Sequence, residues 1–307
     1  MQNPLNSGAT GKPESEPKMK VDIHTHLWPS GSTTKALNDY FAMRGLDPSH
    51  VLSAEGLTGA MTDDMELGVV SALAMRGGET NEELDELNAY VAGEVKKSGG
   101  RLIGFCTVNP FGGRESAEAL KKYIRNDGFK GLKLHQNIQC FYPNDKRLYP
   151  IYEELEALRL PVLFHTGGIG IKPLQDKYSA LNCIEEVACL YPDMPILLGH
   201  AGRGMYDEVA LILRKHENVY ADISANFAKL KGCEYLPLME LISKVKVWTG
   251  SVEKLLFGSD YPFYGEGQTL DLLEEIGRES GQIISSRDIN DISFKNAGRF
   301  CEKYGLL

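Results

Sequence analysis

Residues 21–27 read VDIHTHL, a short apolar run that carries His24 and His26 two positions apart. The run is typical of a β-strand, and on a strand residues i and i+2 point to the same face. Two imidazoles therefore emerge side by side. Because the end of a strand holds its side chains firmly, the pair predicts one half of a metal site.

The rest of the chain alternates between strand-like and helix-like segments. Residues 81–97 (NEELDELNAYVAGEVKK) show apolar side chains at helical spacing, with Thr80 as the predicted N-cap and Glu83 as its capping-box partner. The helices between the apolar segments indicate that the strands pair in parallel, because a parallel neighbour needs a crossover connection. Eight segments are interpreted as strands: residues 20–26, 67–75, 101–108, 129–135, 161–166, 195–200, 218–224 and 254–260.

Eight such units favour an α/β fold with a single domain, a (β/α)8 TIM barrel over residues 19–307. An open doubly wound sheet is the alternative. That fold usually carries a Gly-rich phosphate turn after its first strand, and the sequence has no such turn there. Residues 1–18 are polar and rich in Pro, Gly and Ser, so we expect a flexible leader rather than a signal peptide.

Composition limits the classes of function. The chain has 307 residues, a formal net charge of -9 and no basic block, which argues against binding to nucleic acid or to a membrane. Its six cysteines form no C-x-x-C pair, so neither a disulfide framework nor a thiolate zinc site is expected, and a reducing cytoplasm is the expected location. We expect a small-molecule substrate. The oligomeric state is open, with a homo-oligomer as one alternative.

Polar residues recur at the ends of the predicted strands. In a parallel barrel these ends share one face, where ligands gather. A single histidine there is often structural, and Asp260 alone fits a cap of the turn before Pro262. The strand-end residues are His24, His26, His135, His165, His200 and Asp260. Because four separate coincidences would be needed to explain His24, His26, His165 and Asp260 together, that set predicts a divalent metal site.

Six motifs together resemble the amidohydrolase superfamily. They are DIHTH (22–26), GFKGLKLH (128–135), PVLFHTG (161–167), GHAG (199–202), YADIS (220–224) and FGSDYP (257–262). The resemblance is closest to the amidohydrolase-2 branch, which includes aminocarboxymuconate-semialdehyde decarboxylase and related decarboxylases. It extends from about residue 19 to about residue 299.

This resemblance implies a metal ion bound by His24, His26, His165 and Asp260, with His200 beside it. One Zn²⁺ is the expected ion because imidazole nitrogens with one carboxylate suit it, and Mn²⁺ or Fe²⁺ are the alternatives. The implied activity is hydrolysis, in which a metal-activated water attacks an amide, lactone or ester carbonyl of a small molecule. Asp260 would transfer the proton, and His200 would stabilise the oxyanion or orient the water.

Two other functions stay open. A metal-dependent non-oxidative decarboxylase, a carbon-carbon lyase of the same branch, would use the same ligands and differ in its loops. A non-catalytic barrel would retain the metal ligands for a binding role. The first alternative predicts release of carbon dioxide, and the second predicts bound metal without turnover.

Four further residues are candidates for binding a carboxylated substrate: Arg203, His135, Lys133 and Arg76. Lys133 lies two residues before His135 and shares its face, although a solvated or core-paired lysine is the alternative. Either arginine equally fits a surface or ion-paired role. Asp22 and Asp222 are expected to orient other groups.

Three segments are predicted to be irregular: residues 29–61, 136–149 and 168–179. The first is a candidate lid over the metal. Aromatic side chains in or beside these segments would either line an apolar pocket or pack as part of the lids. They are Trp28, Phe41, Phe141 and Tyr142.

Overall fold

The structure, a computed structural model, describes residues 19–281 and 283–307, so the predicted leader lies outside the described residues. Eight strands alternate with helices over these ranges. The strands are β1 (Val21–Leu27), β2 (Leu67–Ala72), β3 (Leu102–Phe105), β4 (Leu132–Leu134), β5 (Val162–His165), β6 (Ile196–Gly199), β7 (Val219–Asp222) and β8 (Leu255–Leu256). The helices are α1 (Lys35–Met43), α2 (Pro48–Val51), α3 (Ala54–Ala60), α4 (Asn81–Lys97), α5 (Arg114–Lys122), α6 (Gln136–Gln139), α7 (Tyr149–Leu158), α8 (Leu181–Leu190), α9 (Tyr206–Lys215), α10 (Leu236–Thr249), α11 (Glu266–Glu279), α12 (Ser286–Phe294) and α13 (Asn296–Lys303).

All strands run parallel and follow their order in the chain, β1 to β3 in one ladder and β4 to β8 in the next. Backbone hydrogen bonds close the two seams. Between β3 and β4, the N–H of Lys133 donates to the carbonyl of Cys106 at 2.7 Å. Between β8 and β1, the N–H of Ile23 donates to the carbonyl of Phe257 at 3.0 Å. The sheet is therefore a closed barrel, which confirms the predicted (β/α)8 fold.

Local sequence signals explain why the helices begin where they do. The Thr80 side chain accepts a hydrogen bond from the N–H of Glu83, whose carboxylate accepts one from the N–H of Thr80. The predicted capping box is therefore confirmed, and α4 has the predicted bounds. Lys96 and Lys97 in the last turn face the negative end of the helix dipole.

The prediction that residues 29–61 are irregular is wrong, because they contain α1, α2 and α3. The side chains of Thr34, Asp47 and Ser53 cap these helices, so each short segment begins with its own local signal. Near the end of the chain, Lys295 has non-helical backbone angles and separates α12 from α13. The second strand ends at Ala72 instead of residue 75.

The helical segment after β1 packs onto the end of the barrel that carries Asp260. Trp28 and Phe41 are fully buried, and the Trp28 ring stacks on Phe263 with 6.1 Å between ring centroids. The hydroxyl of Tyr261 donates to the carbonyl of Val51 at 2.7 Å. Trp28 and Phe41 therefore pack as part of the predicted lid segment, which was one of the two predicted alternatives.

Phe141 is likewise buried in the core, whereas Tyr142 is 40% exposed. None of the helices that the structure describes is both long enough and apolar enough to cross a membrane.

Candidate active site

The carboxyl ends of the strands bring together polar side chains that are far apart in the sequence. β1 supplies His24 and His26, β5 ends at His165, and Asp260 follows β8. All four side chains are buried. His26, His165 and Asp260 lie at or just beyond the carboxyl ends of their strands, and His24 lies two residues before His26 on the same face of β1. Closure of the barrel therefore places the four side chains at one mouth.

Three possible donor atoms converge at this mouth. Nε2 of His24 lies 3.0 Å from Nε2 of His26, and Oδ1 of Asp260 lies 3.3 Å from the latter and 3.9 Å from the former. Ligand bonds of about 2.0–2.1 Å in a tetrahedral zinc site separate donor atoms by roughly 3.3 Å. The spacing therefore suits a single divalent cation.

The other histidines continue this group through ring contacts. The His200 ring stacks on His24 with centroids 4.7 Å apart, and the His165 ring meets His200 edge-on at 4.8 Å. His135 stacks on His165 at 4.1 Å. Nε2 of His165 is buried and has no hydrogen-bond partner among the described residues. A buried unsatisfied nitrogen is unfavourable, so this atom is suited to accept a cation. Ligation by His165 stays a prediction.

Protonation of the imidazoles also suits a metal. Burial is the main cause that lowers the pKa of all five: His24, His26, His135, His165 and His200. Neutral imidazoles present a lone pair. Nδ1 of His24 donates to Oδ2 of Asp222 at 2.8 Å, and this assignment leaves the lone pair on Nε2, which faces His26. The carboxylate thus orients a candidate ligand, the role expected of Asp222.

Backbone strain is concentrated at the same mouth. Asp260 has φ 68°, His200 has φ 65° and Ala201 has φ 43°. Such left-handed conformations cost about 1–3 kcal/mol each in residues other than glycine, and they persist where surrounding contacts hold them. The N–H of Asp260, for example, donates to the carbonyl of His24 at 2.8 Å.

The side chain and the backbone of Asp260 make separate contacts. Its carboxylate faces His26, whereas its backbone carbonyl closes the turn that contains Pro262. The Asp260 carbonyl accepts from the N–H of Phe263 at 3.0 Å. Burial raises the pKa of the carboxyl to about 6. The turn-cap alternative therefore accounts for the backbone of Asp260 and leaves its side chain available to the histidines.

Gly199, the last residue of β6, makes room for His24. A Cβ atom there would lie 2.8 Å from the carbonyl oxygen of Phe164 and 3.1 Å from Cε1 of His24. Any larger residue would displace the ring that carries the converging nitrogen. The glycine of GHAG is thus explained by close packing.

The predicted substrate-binding residues fall in different places. Nζ of Lys133 is buried and lies 3.2 Å from Nε2 of His24. Burial lowers its pKa to about 8. Lys133 is therefore not solvated, and its contact with His24 fits the core-paired alternative. A substrate role for Lys133 stays a prediction. Arg203 is half-buried, with Nη1 3.4 Å from the carbonyl of Gly168 and a buried Nε that lacks a partner among the described residues.

Arg76 lies four residues beyond the end of β2, with its side chain 53% exposed. Its guanidinium pairs with Glu83 on α4 at 2.7 Å. The ion-paired alternative describes these contacts, and a substrate role for Arg76 stays a prediction.

Asp22 connects the two strands at the barrel seam. Its Oδ1 accepts from the backbone N–H groups of His24 and Ser259 at 3.1 and 3.0 Å. A register shift between Asp22 and Thr25 interrupts the regular pairing of β1 with β2. Asp22 therefore orients the backbone that carries the first histidine.

Two residues of the site were not identified from the sequence. Ser224 and Asn226 follow Asp222 at alternate positions after β7, and both bond to His200. The polar residues at alternate positions in DISAN were the available signal. The chain turns at Ser224 and Ala225, where Ala225 has φ 56°, so strand alternation alone would not have placed Asn226.

The chain matches the family Amidohydro_2, described as Amidohydrolase, over residues 21–300. The protein belongs to this amidohydrolase family. The predicted resemblance is thereby confirmed, and the residues that carry it are the ones at the barrel mouth. As a member of this family the protein is an enzyme, and its buried imidazoles and carboxylate are of the type that holds a metal ion.

Similar proteins match most of the chain. One is 2-amino-3-carboxymuconate-6-semialdehyde decarboxylase of Dictyostelium discoideum, 22% identical over 320 residues that cover 87% of this chain and 89% of the relative. A solved dihydroxybenzoic acid decarboxylase from Polaromonas sp. JS666, with bound manganese and 2-nitroresorcinol, has a TM-score of 0.69 and 18% identity, covering 94% and 97% of the two chains. An uncharacterized TIM-barrel protein from Bordetella bronchiseptica has a TM-score of 0.66 and 20% identity, covering 93% and 99%. The solved structures confirm the fold.

Proposed function

We propose that this protein is a metal-dependent, non-oxidative decarboxylase of a small unsaturated or aromatic carboxylic acid. The observation that carries the proposal is the convergence of His24, His26 and Asp260 on one point. The decarboxylase names of relatives favour this reaction over hydrolysis. Hydrolysis has less support, although it would use the same donor atoms.

The proposed metal ligands are His24, His26, His165 and Asp260. When bound, a divalent cation supplies Lewis-acid polarisation of the substrate. Three imidazoles and one carboxylate suit Zn²⁺, which we propose as the ion, whereas the manganese bound by the Polaromonas enzyme makes Mn²⁺ the alternative to be tested. Metal analysis of the purified protein decides between them.

The remaining side chains would bind and protonate the substrate. Lys133 and Arg203 are cationic groups at this mouth and would attract a carboxylate. Decarboxylation breaks one carbon–carbon bond, releases carbon dioxide and leaves an electron pair that a proton must take. His200 is the proposed proton-transfer residue because it lies against His24 and is not needed as a ligand.

A substrate panel in isotopically labelled water tests the proposal. The panel contains 2-amino-3-carboxymuconate-6-semialdehyde, dihydroxybenzoates, and simple esters, lactones and amides. We expect carbon dioxide release and, in deuterium oxide, deuterium at the carbon that lost the carboxylate. An ¹⁸O-labelled acid formed without carbon dioxide would establish hydrolysis instead.

The non-catalytic alternative has its own signature. It predicts a full complement of metal and no turnover of any compound in the panel. A His200→Gln variant is the matched control for real activity, since it removes the proposed proton-transfer group while all four proposed ligands remain. We expect it to bind metal as the native protein does and to lose decarboxylation.

A further inference from the structure

His200 is held at three points by residues at alternate positions from the end of β7 onward, namely Asp222, Ser224 and Asn226. Its backbone N–H donates to Oδ1 of Asp222 at 3.2 Å, and its carbonyl accepts from Nδ2 of Asn226 at 2.9 Å. The hydroxyl of Tyr206 donates to Oδ1 of Asn226 at 2.9 Å, which fixes the orientation of that amide. The third contact joins Nδ1 of His200 to Oγ of Ser224 at 2.8 Å.

The direction of the third hydrogen bond follows from the number of protons. A serine hydroxyl has one proton to donate. Oγ of Ser224 lies 2.5 Å from Oδ1 of Asp222, too close for two acceptors without a proton between them. Oδ1 of Asp222 also accepts from the backbone N–H groups of His200 and Ser224, at 3.2 and 3.0 Å, so it acts as an acceptor towards the Ser224 hydroxyl as well.

The Ser224 proton is therefore on the bond to Asp222, and its oxygen accepts from His200. That arrangement requires a proton on Nδ1 of His200 and a lone pair on Nε2. Nδ1 points to the residues after β7, so Nε2 is turned away from them. The His24 ring lies nearly parallel to His200, with 27° between the planes, and its own Nδ1 is bonded to Asp222. One carboxylate thus orients both rings, directly for His24 and through Ser224 for His200.

We propose that Ser224 is a positioning residue, which keeps His200 in the Nδ1–H tautomer with an unprotonated Nε2 available to accept a proton from the substrate. The consequence for catalysis rests on the function proposed above. In that reaction Nε2 would take a proton from a hydroxyl or amino group of the substrate and pass it to the carbon that loses carbon dioxide. The atoms balance, because water later restores the proton to the hydroxyl or amino group.

Nitrogen NMR of ¹⁵N-histidine-labelled protein tests the tautomer directly, in the chelator-treated form and in the form loaded with Zn²⁺ alone. The protonated and unprotonated nitrogens of a neutral imidazole have well-separated ¹⁵N shifts, and His200→Gln identifies the signals. We expect Nδ1 to carry the proton in the native protein and in Ser224→Thr. Ser224→Ala should lose this preference, whereas Ser116→Ala, which removes a buried hydroxyl bonded to Asn109, should keep it. A proton on Nε2 in the native protein, or an unchanged tautomer in Ser224→Ala, would overturn the proposal.

Kinetics provide the second readout. We expect Ser224→Ala to lower kcat by about 10-fold to 100-fold with little change in KM or in metal per chain, as for other residues that orient catalytic groups. Ser224→Thr should recover most of the activity. Loss of metal in Ser224→Ala would show that the hydroxyl acts through His24, against the proposal. If decarboxylation is absent from the substrate panel, the proposed function fails while the NMR result still decides the role of Ser224. If Ser224→Ala does not fold, the native and threonine spectra decide it.

Discussion

Two of the clusters of histidine and carboxylate side chains in the described part of the chain differ in their surroundings. The mouth cluster consists of His24, His26 and Asp260, and the surface cluster consists of Glu185, Cys189 and His216. At the surface cluster Lys215 donates to Glu185, which also accepts from Nε2 of His216 at 3.0 Å. Glu185 therefore already has a cation.

The mouth cluster differs in how far its polar atoms have hydrogen-bond partners. Nε2 of His165, whose ring contacts His200 beside this cluster, is buried without a hydrogen-bond partner among the residues described. The pKa values of the two carboxyl groups shift in opposite directions. The hydrogen bond from Lys215 lowers the pKa of Glu185 to about 2, while burial raises the pKa of Asp260 to about 6. Residues of metal-binding type therefore indicate a metal site only where burial leaves their donor atoms unsatisfied.

The largest expected effect is on metal content and turnover. Asp260→Asn should reduce bound metal well below one ion per chain and lower activity beyond the roughly 100-fold loss seen when residues outside the ligand set are changed. The reason is that an amide cannot supply the ligand charge. Elemental analysis with kinetic assay measures both quantities. Glu185→Gln is the matched control and should leave both unchanged. Metal loss in Glu185→Gln instead of Asp260→Asn would reverse the assignment of the two clusters.

The second effect is on stability. Metal present at about 1,000 times its dissociation constant should stabilise the folded protein by about 4 kcal/mol, because it binds the folded state alone. That corresponds to a rise in Tm of roughly 6 °C for a protein of this size. Thermal unfolding with Zn²⁺ and with chelator measures the difference. The shift should persist in Cys189→Ser, and its disappearance there would place the metal at the surface cluster.

The third effect concerns the group that orients His24. Asp222→Asn should weaken metal binding about 10-fold to 100-fold, since the amide no longer accepts from Nδ1 of His24 as strongly and the tautomer is less well defined. Competition with a chelator measures the affinity. Asp207→Asn, which alters an exposed aspartate paired with Lys244, is the control and should bind metal normally. Equal affinity in both variants would contradict the role given to Asp222.

The smallest effect is the pH dependence of the surface cluster. Glu185 has a folded-state pKa of about 2, below its ordinary value of 4.5. Its contribution is therefore complete above pH 4.5 and is lost as the pH falls from 4.5 towards 2. Because the pair is partly exposed and screened, the contribution should be under about 1 kcal/mol. Urea unfolding of the native protein and Glu185→Gln between about pH 3 and 6 measures it. A difference that grows as the pH falls would contradict the assigned sign.

Much of the fold followed from local patterns. The apolar segments around His26, His165 and His200 are strands that end at these residues or within one position of them, and the capping box at Thr80 began its helix as predicted. The helices within residues 29–61 were missed because each is short. A cap such as Asp47 followed by Pro48 was present, but the segment lacks the long apolar periodicity that identifies larger helices.

The alternation of side chains along strands determined which histidines share the barrel mouth, because strand geometry and the parallel rule act on local sequence alone. Only the tertiary structure decided which partner each one meets. Asp222 is 198 residues from His24, and Ser224 bonds a ring that belongs to a different strand end. Those pairings depend on how the closed barrel brings β1, β6 and β7 together and on side-chain rotamers, which no local pattern specifies.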